Sequence, residues 1–324
     1  MSDNEESAEG AVEQTVEKKK YRSDLKRDKE EAEANEEMKL IKEFDFDGLP
    51  EHPTILIEGK RGSGKTFLLP HIVQHLHKKY KYDEAYLISQ TARFNIKVEE
   101  NPFFYIPDGN IIDHFNEEFV KGIIESTEAV KLSDNQKEKH LRTNKKVLFI
   151  LDDCIDDKNA VKSPTLKRIC TRGRHSNITL ILLSQVLSSH GGFDTVIRCN
   201  VDLCVLFDIY DEGTRRMAGD AFLSKFNPNV GKMLMTKIPM LEPYMTTFVL
   251  FRNADTSFQP KRYSDYVYKY KAPDKEVKKF IIGNKKYIKN PSERMTVIGS
   301  NKPIYQTGTT RFNFKVTDDY QYYK

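Results

Sequence analysis

The chain has 324 residues, of which 31% are charged and 38% are apolar, and its formal net charge is +4. This length allows one large α/β domain with extensions, and the low apolar content predicts that part of the chain is solvated. No apolar run approaches the ~18–20 residues of a membrane-spanning helix, and the acidic start of the chain is unlike a secretory signal. The composition therefore argues against a membrane-spanning or secreted protein.

The N-terminal segment, residues 1–45, consists mostly of charged residues. Residues 1–49 carry 16 Asp and Glu against 9 Lys and Arg. Because few apolar side chains are available to form a buried face, we predict disorder here, or a helix that forms only with a partner. Ile41, Phe44 and Phe46 are predicted to dock this segment onto an ordered domain that begins at residue 46.

The ordered domain opens with a phosphate-binding pattern. Residues 54–57 form a short apolar run rich in β-branched side chains, which predicts a buried strand. The next residues match G-x-x-x-x-G-K-[ST] in full: Gly59, Lys60, Arg61, Gly62, Ser63, Gly64, Lys65 and Thr66. Apolar residues then recur at helical spacing over 67–76. Such a loop binds phosphate through backbone N–H groups, so all eight residues are predicted to contact ATP. Lys65 would reach the β- and γ-phosphates, and the Thr66 hydroxyl would bind Mg²⁺.

The next segments have weaker patterns. Residues 85–88 predict a second strand, and residues 92–110 predict a loop because they contain several Pro and Gly breakers. Residues 111–130 have helical spacing of apolar and acidic side chains. Residues 133–143 predict a polar helix or a loop.

A second motif combines an apolar strand with two carboxylates. Residues 147–151 are all apolar, which predicts a parallel strand buried on both faces, and Asp152 and Asp153 follow at its C-terminal end. Ligands of open α/β sheets bind at that edge. We therefore expect Asp152 to hold Mg²⁺ and Asp153 to act as the general base for the attacking water.

A basic turn and another buried strand come next. A short helix at 166–170 leads to Arg172 and Arg174, and the strand at 178–183 ends in Ser184 and Gln185. A Gln at such a strand end could sense the γ-phosphate or orient water. The two arginines could be solvated charges at a helix end or arginine fingers supplied to a neighbouring subunit, and spacing alone leaves both interpretations open.

The rest of the chain predicts further sheet and a basic extension. Strands are predicted at 201–207 and 246–251 and a helix at 211–222. Residues 255–324 carry 15 Lys and Arg against 7 Asp and Glu, so they could contact nucleic acid. Their tyrosines also suit an edge strand or an oligomer-docking arm; these are Tyr263, Tyr266, Tyr268 and Tyr270.

The motifs GKRGSGKT, ILDD and TRGRHSNITLILLSQ resemble those of the genome-packaging ATPases of poxviruses and other large DNA viruses, which belong to the FtsK–HerA superfamily of P-loop motors. The resemblance covers about residues 50–252. It implies a strand inserted between the phosphate-loop strand and the acidic strand, and a homo-oligomeric ring that threads double-stranded DNA. It also implies an arginine acting in trans, at Arg172 or Arg174, and a polar sensor at Gln185. Many superfamily members have Asp-Glu at the position of Asp152 and Asp153.

These observations together predict an α/β P-loop NTPase with a mainly parallel central sheet flanked by helices. The ATPase domain is predicted at 46–254, between the charged segment and the extension at 255–324. The predicted function is an ATP-hydrolysing motor that moves double-stranded DNA without sequence preference, packaging a viral genome. The resemblance implies a capsid or portal partner and a location in the virion or in viral factories of the host cytoplasm.

Three other functions remain open. A terminase-type packaging enzyme often has an arginine in its phosphate loop, as Arg61 is here, but its nuclease needs clustered carboxylates that residues 255–324 do not offer. A nucleotide-switched binding module would hydrolyse little ATP. A small-molecule kinase would need a lid that carries several arginines.

Overall fold

The computed structural model describes residues 3–92, 102–132, 138–142, 145–154, 160, 162–185, 195–275 and 277–283. The strands are β1 (Thr54–Glu58), β2 (Glu84–Ser89), β3 (Ile111–Ile112), β4 (Glu128–Leu132), β5 (Glu138–Arg142), β6 (Val147–Asp152), β7 (Ile178–Ser184), β8 (Leu203–Leu206), β9 (Thr246–Leu250) and β10 (Val267–Tyr270). The helices are α1 (Asp3–Leu40), α2 (Lys65–Tyr80), α3 (Glu117–Thr127), α4 (Pro164–Arg172), α5 (Thr195–Cys199), α6 (Glu212–Phe222) and α7 (Pro228–Lys237). Among these helices none is both long and apolar enough to cross a bilayer.

One mainly parallel sheet forms the centre of the fold. Eight of the described strands pair in the order β10-β9-β8-β1-β7-β6-β2-β3. The strands from β8 to β3 in this order are mutually parallel, whereas β9 and β10 are antiparallel to their neighbours. Strand β7 lies between β1 and β6, which confirms the inserted strand that the resemblance implies. The C-terminal ends of β1, β6, β7 and β2 therefore meet at one edge, which we call the C-terminal edge.

The sheet is buried on both faces, as the unbroken apolar runs predict. Along β6, for example, Phe149 and Leu151 pack into one core cluster and Leu148 and Ile150 into the other. Helix α2 covers the second cluster, and α3, α4 and α7 cover the first. The fold class predicted from the sequence, a mainly parallel sheet flanked by helices, is confirmed.

The N-terminal helix packs on the same chain. Ala34 of α1 is fully buried, and the buried carboxylate of Glu37 accepts a hydrogen bond from Arg262 Nε at 2.9 Å. Glu30 accepts from Asn229 Nδ2 of α7 at 3.0 Å. This packing corrects the prediction of disorder for residues 30–40. Their helix packs against α7 and the segment around Arg262 of the same chain, and the alternative, a helix that forms only with a partner, stays a prediction.

Two other segments differ from their predicted secondary structure. Residues 111–130 are not one helix, since β3 comes first and pairs with β2, and α3 ends where β4 begins. Strand β4 pairs antiparallel with β5, so the predicted polar helix or loop at 133–143 is a strand from residue 138 to 142, while 133–137 lie outside the described residues. Pairing with a distant strand overrides local helical spacing here.

The sheet continues past residue 254, where the sequence predicted the ATPase domain to end. Strand β10 pairs with β9 and forms the outer strand of the sheet, so the edge-strand interpretation of the tyrosine cluster is confirmed. Tyr263 and Tyr266 are buried, and the Tyr263 hydroxyl donates to the carbonyls of Leu223 and Asn227. Residues 255–283 therefore belong largely to the sheet domain, and residues 284–324 lie outside the described residues.

Candidate nucleotide-binding site

The phosphate loop joins β1 to α2 and requires glycine at three positions. Gly62 and Gly64 have φ values of +76° and +101°, in the left-handed region that favours glycine. At Gly59 a Cβ atom would lie 2.6 Å from Ser63 Oγ and 2.9 Å from Phe207 Cβ, closer than packed atoms allow. Glycine at these positions therefore lets the loop adopt the tight backbone conformation that the motif predicts.

Lys65 is the first residue of α2, and its side chain is buried inside the loop. Its Nζ donates to the carbonyl oxygens of Gly59 and Lys60, the latter at 3.2 Å. Burial lowers the pKa of Lys65, and the negative charges of Asp153 and Asp152 oppose that shift. Ser63 Oγ is also buried and has no hydrogen-bond partner in the described part of the chain. The loop thus surrounds a cation and an unused hydroxyl at the place where a phosphate would bind.

The other polar side chains of the loop face outward. Thr66 and Arg61 are exposed, and Thr66 lies at the rim of a cavity. Lys60 Nζ lies 3.7 Å from the centroid of the Tyr210 ring, in a cation–π contact. The Thr66 hydroxyl is therefore accessible to a ligand of the loop, while Lys60 has an aromatic partner on its own chain.

Asp152 ends β6 at the C-terminal edge and is buried. Ser89, opposite it in the register of β2, donates from Oγ to Asp152 Oδ2 at 2.9 Å. Burial raises the pKa of Asp152 to about 6, Asp153 adds to the shift, and Ser89 and Lys65 oppose it. A buried carboxylate at this edge suits Mg²⁺, which uses one or two protein oxygens together with phosphate oxygens and water. A group of three or more His, Cys, Asp or Glu side chains, as a metal site made of protein alone would need, does not occur among the described residues.

Asp153 and Gln185 contact each other, although 32 residues separate them. Gln185 Nε2 donates to Asp153 Oδ1 at 2.7 Å. Asp153 has a φ of +51°, which is unusual for a residue with a side chain and often marks a functional position. The contact follows from the pairing of β6 with β7, whose last residues lie side by side. The structure thus brings together two residues to which the sequence analysis assigned separate roles in hydrolysis.

Arg172 and Arg174 lie far from this loop. Arg172 ends α4 and is exposed, and Arg174 is in the turn that leads into β7. That turn meets the start of β6, since Asn177 accepts from the Val147 N–H, so both arginines are at the N-terminal edge of the sheet. The seven residues of β7 separate the two edges by roughly 20 Å. Neither arginine is therefore brought to the phosphate loop of its own chain.

Residues 41–225 match the family model described as Poxvirus A32 protein, which is more than half of the chain. The chain belongs to this family. Its membership confirms the resemblance that the three motifs indicated.

Other relatives are viral. This A32-family chain is 28% identical over 148 residues to the uncharacterized protein L437 of Acanthamoeba polyphaga mimivirus. The matched region covers 45% of this chain and 49% of the mimivirus protein. It is 24% identical over 247 residues to the uncharacterized protein 075L of Invertebrate iridescent virus 6. This matched region covers 74% of this chain and 85% of the iridescent virus protein. The match thus spans about half the length of the mimivirus relative.

Similar solved structures include ATP-binding proteins. The genome packaging NTPase B204 of Sulfolobus turreted icosahedral virus 2, in complex with ATP-gammaS, matches with a TM-score of 0.41 and 16% identity over 68% of this chain and 96% of that one. The cytoplasmic domain of the Type VII secretion ATPase EccC of Thermomonospora curvata matches with a TM-score of 0.39 and 16% identity. This match covers 69% of this chain and 26% of the EccC chain.

One carboxylate of the site, Glu58, was not predicted from the sequence. It ends β1 directly before the phosphate loop and is buried beside Ser184, its neighbour in β7. Burial raises the pKa of Glu58 to about 7, against the lowering by the Ser184 hydrogen bond and by the charges of Lys65 and Arg198. The available signal was a glutamate at the end of an otherwise apolar strand.

Replacement of Glu58 by glutamine is expected to stabilise the nucleotide-free protein at pH 8 by up to about 3 kcal/mol. Folding raises the pKa of Glu58 from 4.5 to about 7, so the folded state binds this proton more tightly than the unfolded state. The contribution of the neutral Glu58 carboxyl to the free energy of unfolding is therefore fully present below pH 4.5. It is lost as the pH rises through about 7, because Glu58 then ionises in the folded state. Glu58→Gln keeps the shape and the acceptor for Ser184 but does not ionise.

Urea unfolding at pH 5 and pH 8 measures this effect. The gain in the free energy of unfolding should be large at pH 8 and small at pH 5. The control is Glu118→Gln, which changes an exposed glutamate on α3 and should give no gain at either pH. An equal gain at both pH values would mean that packing, and not ionisation, is responsible.

Proposed function

We propose that this A32-family protein is an ATP-hydrolysing motor that translocates double-stranded DNA and packages a viral genome into a capsid. The observation that carries the proposal is the meeting of Lys65, Asp152, Asp153 and Gln185 at one sheet edge, with the basic turn at the opposite edge. Membership of a poxvirus protein family and the genome-packaging activity named for B204 support the same conclusion.

The loop from Gly59 to Thr66 would cradle the phosphates of ATP. On binding, Lys65 would exchange the carbonyl oxygens of Gly59 and Lys60 for oxygens of the β- and γ-phosphates. Thr66 and Asp152 would hold Mg²⁺, which when bound neutralises charge on these phosphates. The pKa of Asp152, raised to about 6, predicts that this carboxylate is ionised and ready for a cation near neutral pH.

Hydrolysis would then depend on Asp153 and Gln185. Asp153 would accept the proton of the water that attacks the γ-phosphate in line. Gln185 already holds one oxygen of this carboxylate, which leaves the other free to orient the water. Gln185 would also sense the γ-phosphate, because it directly follows β7 and its amide contacts Asp153. Catalysis of this kind comes from positioning and charge stabilisation.

An arginine finger would come from a neighbouring subunit. Since Arg172 and Arg174 lie at the edge away from their own phosphate loop, either could reach a γ-phosphate only across a subunit boundary. A head-to-tail ring places the N-terminal edge of one sheet against the C-terminal edge of the next. The proposal therefore includes a homo-oligomeric ring in which an isolated subunit hydrolyses ATP slowly.

The DNA contact would be electrostatic. A translocating motor must follow phosphates regardless of sequence, and residues 255–324 supply an excess of positive charge. We propose a capsid or portal protein as the docking partner, and the virion or viral factories of the host cytoplasm as the location.

Long double-stranded DNA is expected to stimulate ATP hydrolysis by the purified protein in Mg²⁺ at low salt. The stimulation should fall steeply as salt rises and should not depend on DNA sequence, because phosphate contacts dominate. Phosphate release with and without DNA measures it. Hydrolysis that ignores DNA would favour a nucleotide-switched binding module. Cleavage of the DNA in Mg²⁺ or Mn²⁺ would favour a terminase-type enzyme.

A further inference from the structure

A cavity of about 480 Å³ adjoins the phosphate loop, and Asp152 is not among its lining residues. Its size is that of a small-molecule site. Gly62, Gly64 and Thr66 form one wall. The remaining lining residues are mainly aromatic or lie after β10: Phe67, Leu68, Phe207, Tyr244, Thr246, Lys271, Ala272 and Asp274. The cavity thus continues the proposed phosphate site into an aromatic space.

Two aromatic side chains of this cavity differ in how they are held. Phe207 is buried, and its N–H donates to the Glu58 carbonyl at 2.9 Å, which ties it to the end of β1. Tyr244 is 70% exposed. Its ring nevertheless packs close to Gly64, since a Cβ atom added to that glycine would lie 3.5 Å from Tyr244 Cδ1. Its φ of +63° is unusual for a tyrosine. A large ring held beside a phosphate loop and open to solvent is suited to stack on a ligand.

The far wall is built from residues that follow β10. Lys271 Nζ contacts Glu242 Oε2 at 3.2 Å, which joins this wall to the segment before Tyr244. The Thr246 hydroxyl donates to the Tyr270 carbonyl at 2.6 Å, which joins β9 to β10. Lys271, Ala272 and Asp274 lie beyond the family match at 41–225 and beyond the ATPase domain predicted at 46–254. The residues that directly follow β10 therefore complete the wall of this cavity.

We propose that this cavity binds the base of a purine nucleoside triphosphate, with Tyr244 stacked on the base. A ligand whose phosphates occupy the loop at Gly62 and Gly64 extends into this space, and its flat aromatic part meets the Tyr244 ring. A purine offers the larger stacking face, so it should bind more tightly than a pyrimidine. The proposal rests on the proposed function only in that the loop from Gly59 to Thr66 binds the phosphates.

The binding of three probes to the full chain tests this proposal: ATP, CTP and inorganic tripolyphosphate, each with Mg²⁺, measured by calorimetry. Tyr244→Ala is expected to weaken ATP binding by about 10- to 100-fold, since loss of base stacking has effects of that size. Tripolyphosphate has no base and should bind this variant as it binds the unchanged protein. Tyr244→Phe should keep ATP affinity, and Tyr244→Leu, which keeps bulk without an aromatic face, should lose it.

Tyr21→Ala is the matched control, because Tyr21 is also 70% exposed and lies on α1. It should change no affinity. Unchanged ATP binding by Tyr244→Ala, or equal losses for ATP and tripolyphosphate, would overturn the base pocket while the phosphate site stands. A change in subunit assembly without a change in nucleotide binding would instead assign Tyr244 to a contact between copies. Failure of the unchanged protein to bind any probe would overturn both proposals.

Discussion

Replacement of Arg174 by alanine is expected to reduce ATP turnover of the assembled protein by about 10³–10⁵-fold while ATP affinity changes little. An arginine that reaches the γ-phosphate of a neighbour stabilises charge that develops during phosphoryl transfer, and it contributes less to binding of the ground state. Steady-state phosphate release and equilibrium ATP binding, measured on the same preparation, separate these two effects.

Mixing experiments distinguish action in trans from action within one chain. In a ring formed from Arg174→Ala and Lys65→Ala subunits, an unchanged phosphate loop can face an unchanged arginine, so part of the activity should return. Arg172→Ala is the comparison that identifies the finger, because Arg172 ends α4 directly before the turn that contains Arg174. Absence of any rescue in the mixture would assign Arg174 to its own subunit.

Arg174 also has a neighbour in its own chain, so a structural role needs its own readout. Its charge lowers the pKa of Asp202, which burial raises. Asp202 keeps other partners in the variant, namely Arg252 at 3.1 Å and the Thr54 N–H at 2.8 Å. The melting temperature should therefore change little. A large drop in melting temperature together with lost turnover would indicate a structural role.

Replacement of Lys65 by alanine is expected to abolish ATP turnover, with a loss of at least about 10²–10³-fold, and to weaken ATP binding. The ammonium is already inside the loop, where it would meet the β- and γ-phosphates, and no other lysine of the described residues is buried there. Phosphate release by the variant, with and without DNA, measures the loss.

The control for Lys65 lies on the same helix. Lys78 is exposed near the end of α2, so Lys78→Ala removes an equal charge away from the loop and should leave turnover unchanged. The melting temperature of Lys65→Ala is measured alongside, so that lost turnover is not confused with lost folding. Turnover near that of the unchanged protein would rule out this loop as the catalytic phosphate site.

The fold class, the phosphate loop and the acidic strand were all predicted from the amino-acid sequence. These features are contiguous: a strand buried on both faces needs an unbroken apolar run, and the loop needs glycines beside Lys65. Asp152 and Asp153 were predicted for the same reason, since they directly follow the apolar residues of β6. The family resemblance was also readable, because its motifs are short and ordered along the chain.

The contacts between residues far apart in sequence could not be predicted and are visible only in the folded chain. The Ser89–Asp152 and Gln185–Asp153 hydrogen bonds depend on strand order and register, and no local pattern encodes these. The burial of Glu58 depends on β7 and β8 on either side of β1. The docking of α1 and the closure of the cavity at Tyr244 depend on α7 and β10, which pack far from them in sequence. Burial and strand pairing arise only when the chain packs. They set the protonation and the contacts of side chains such as Glu58, and neither can be derived from the sequence around the residue.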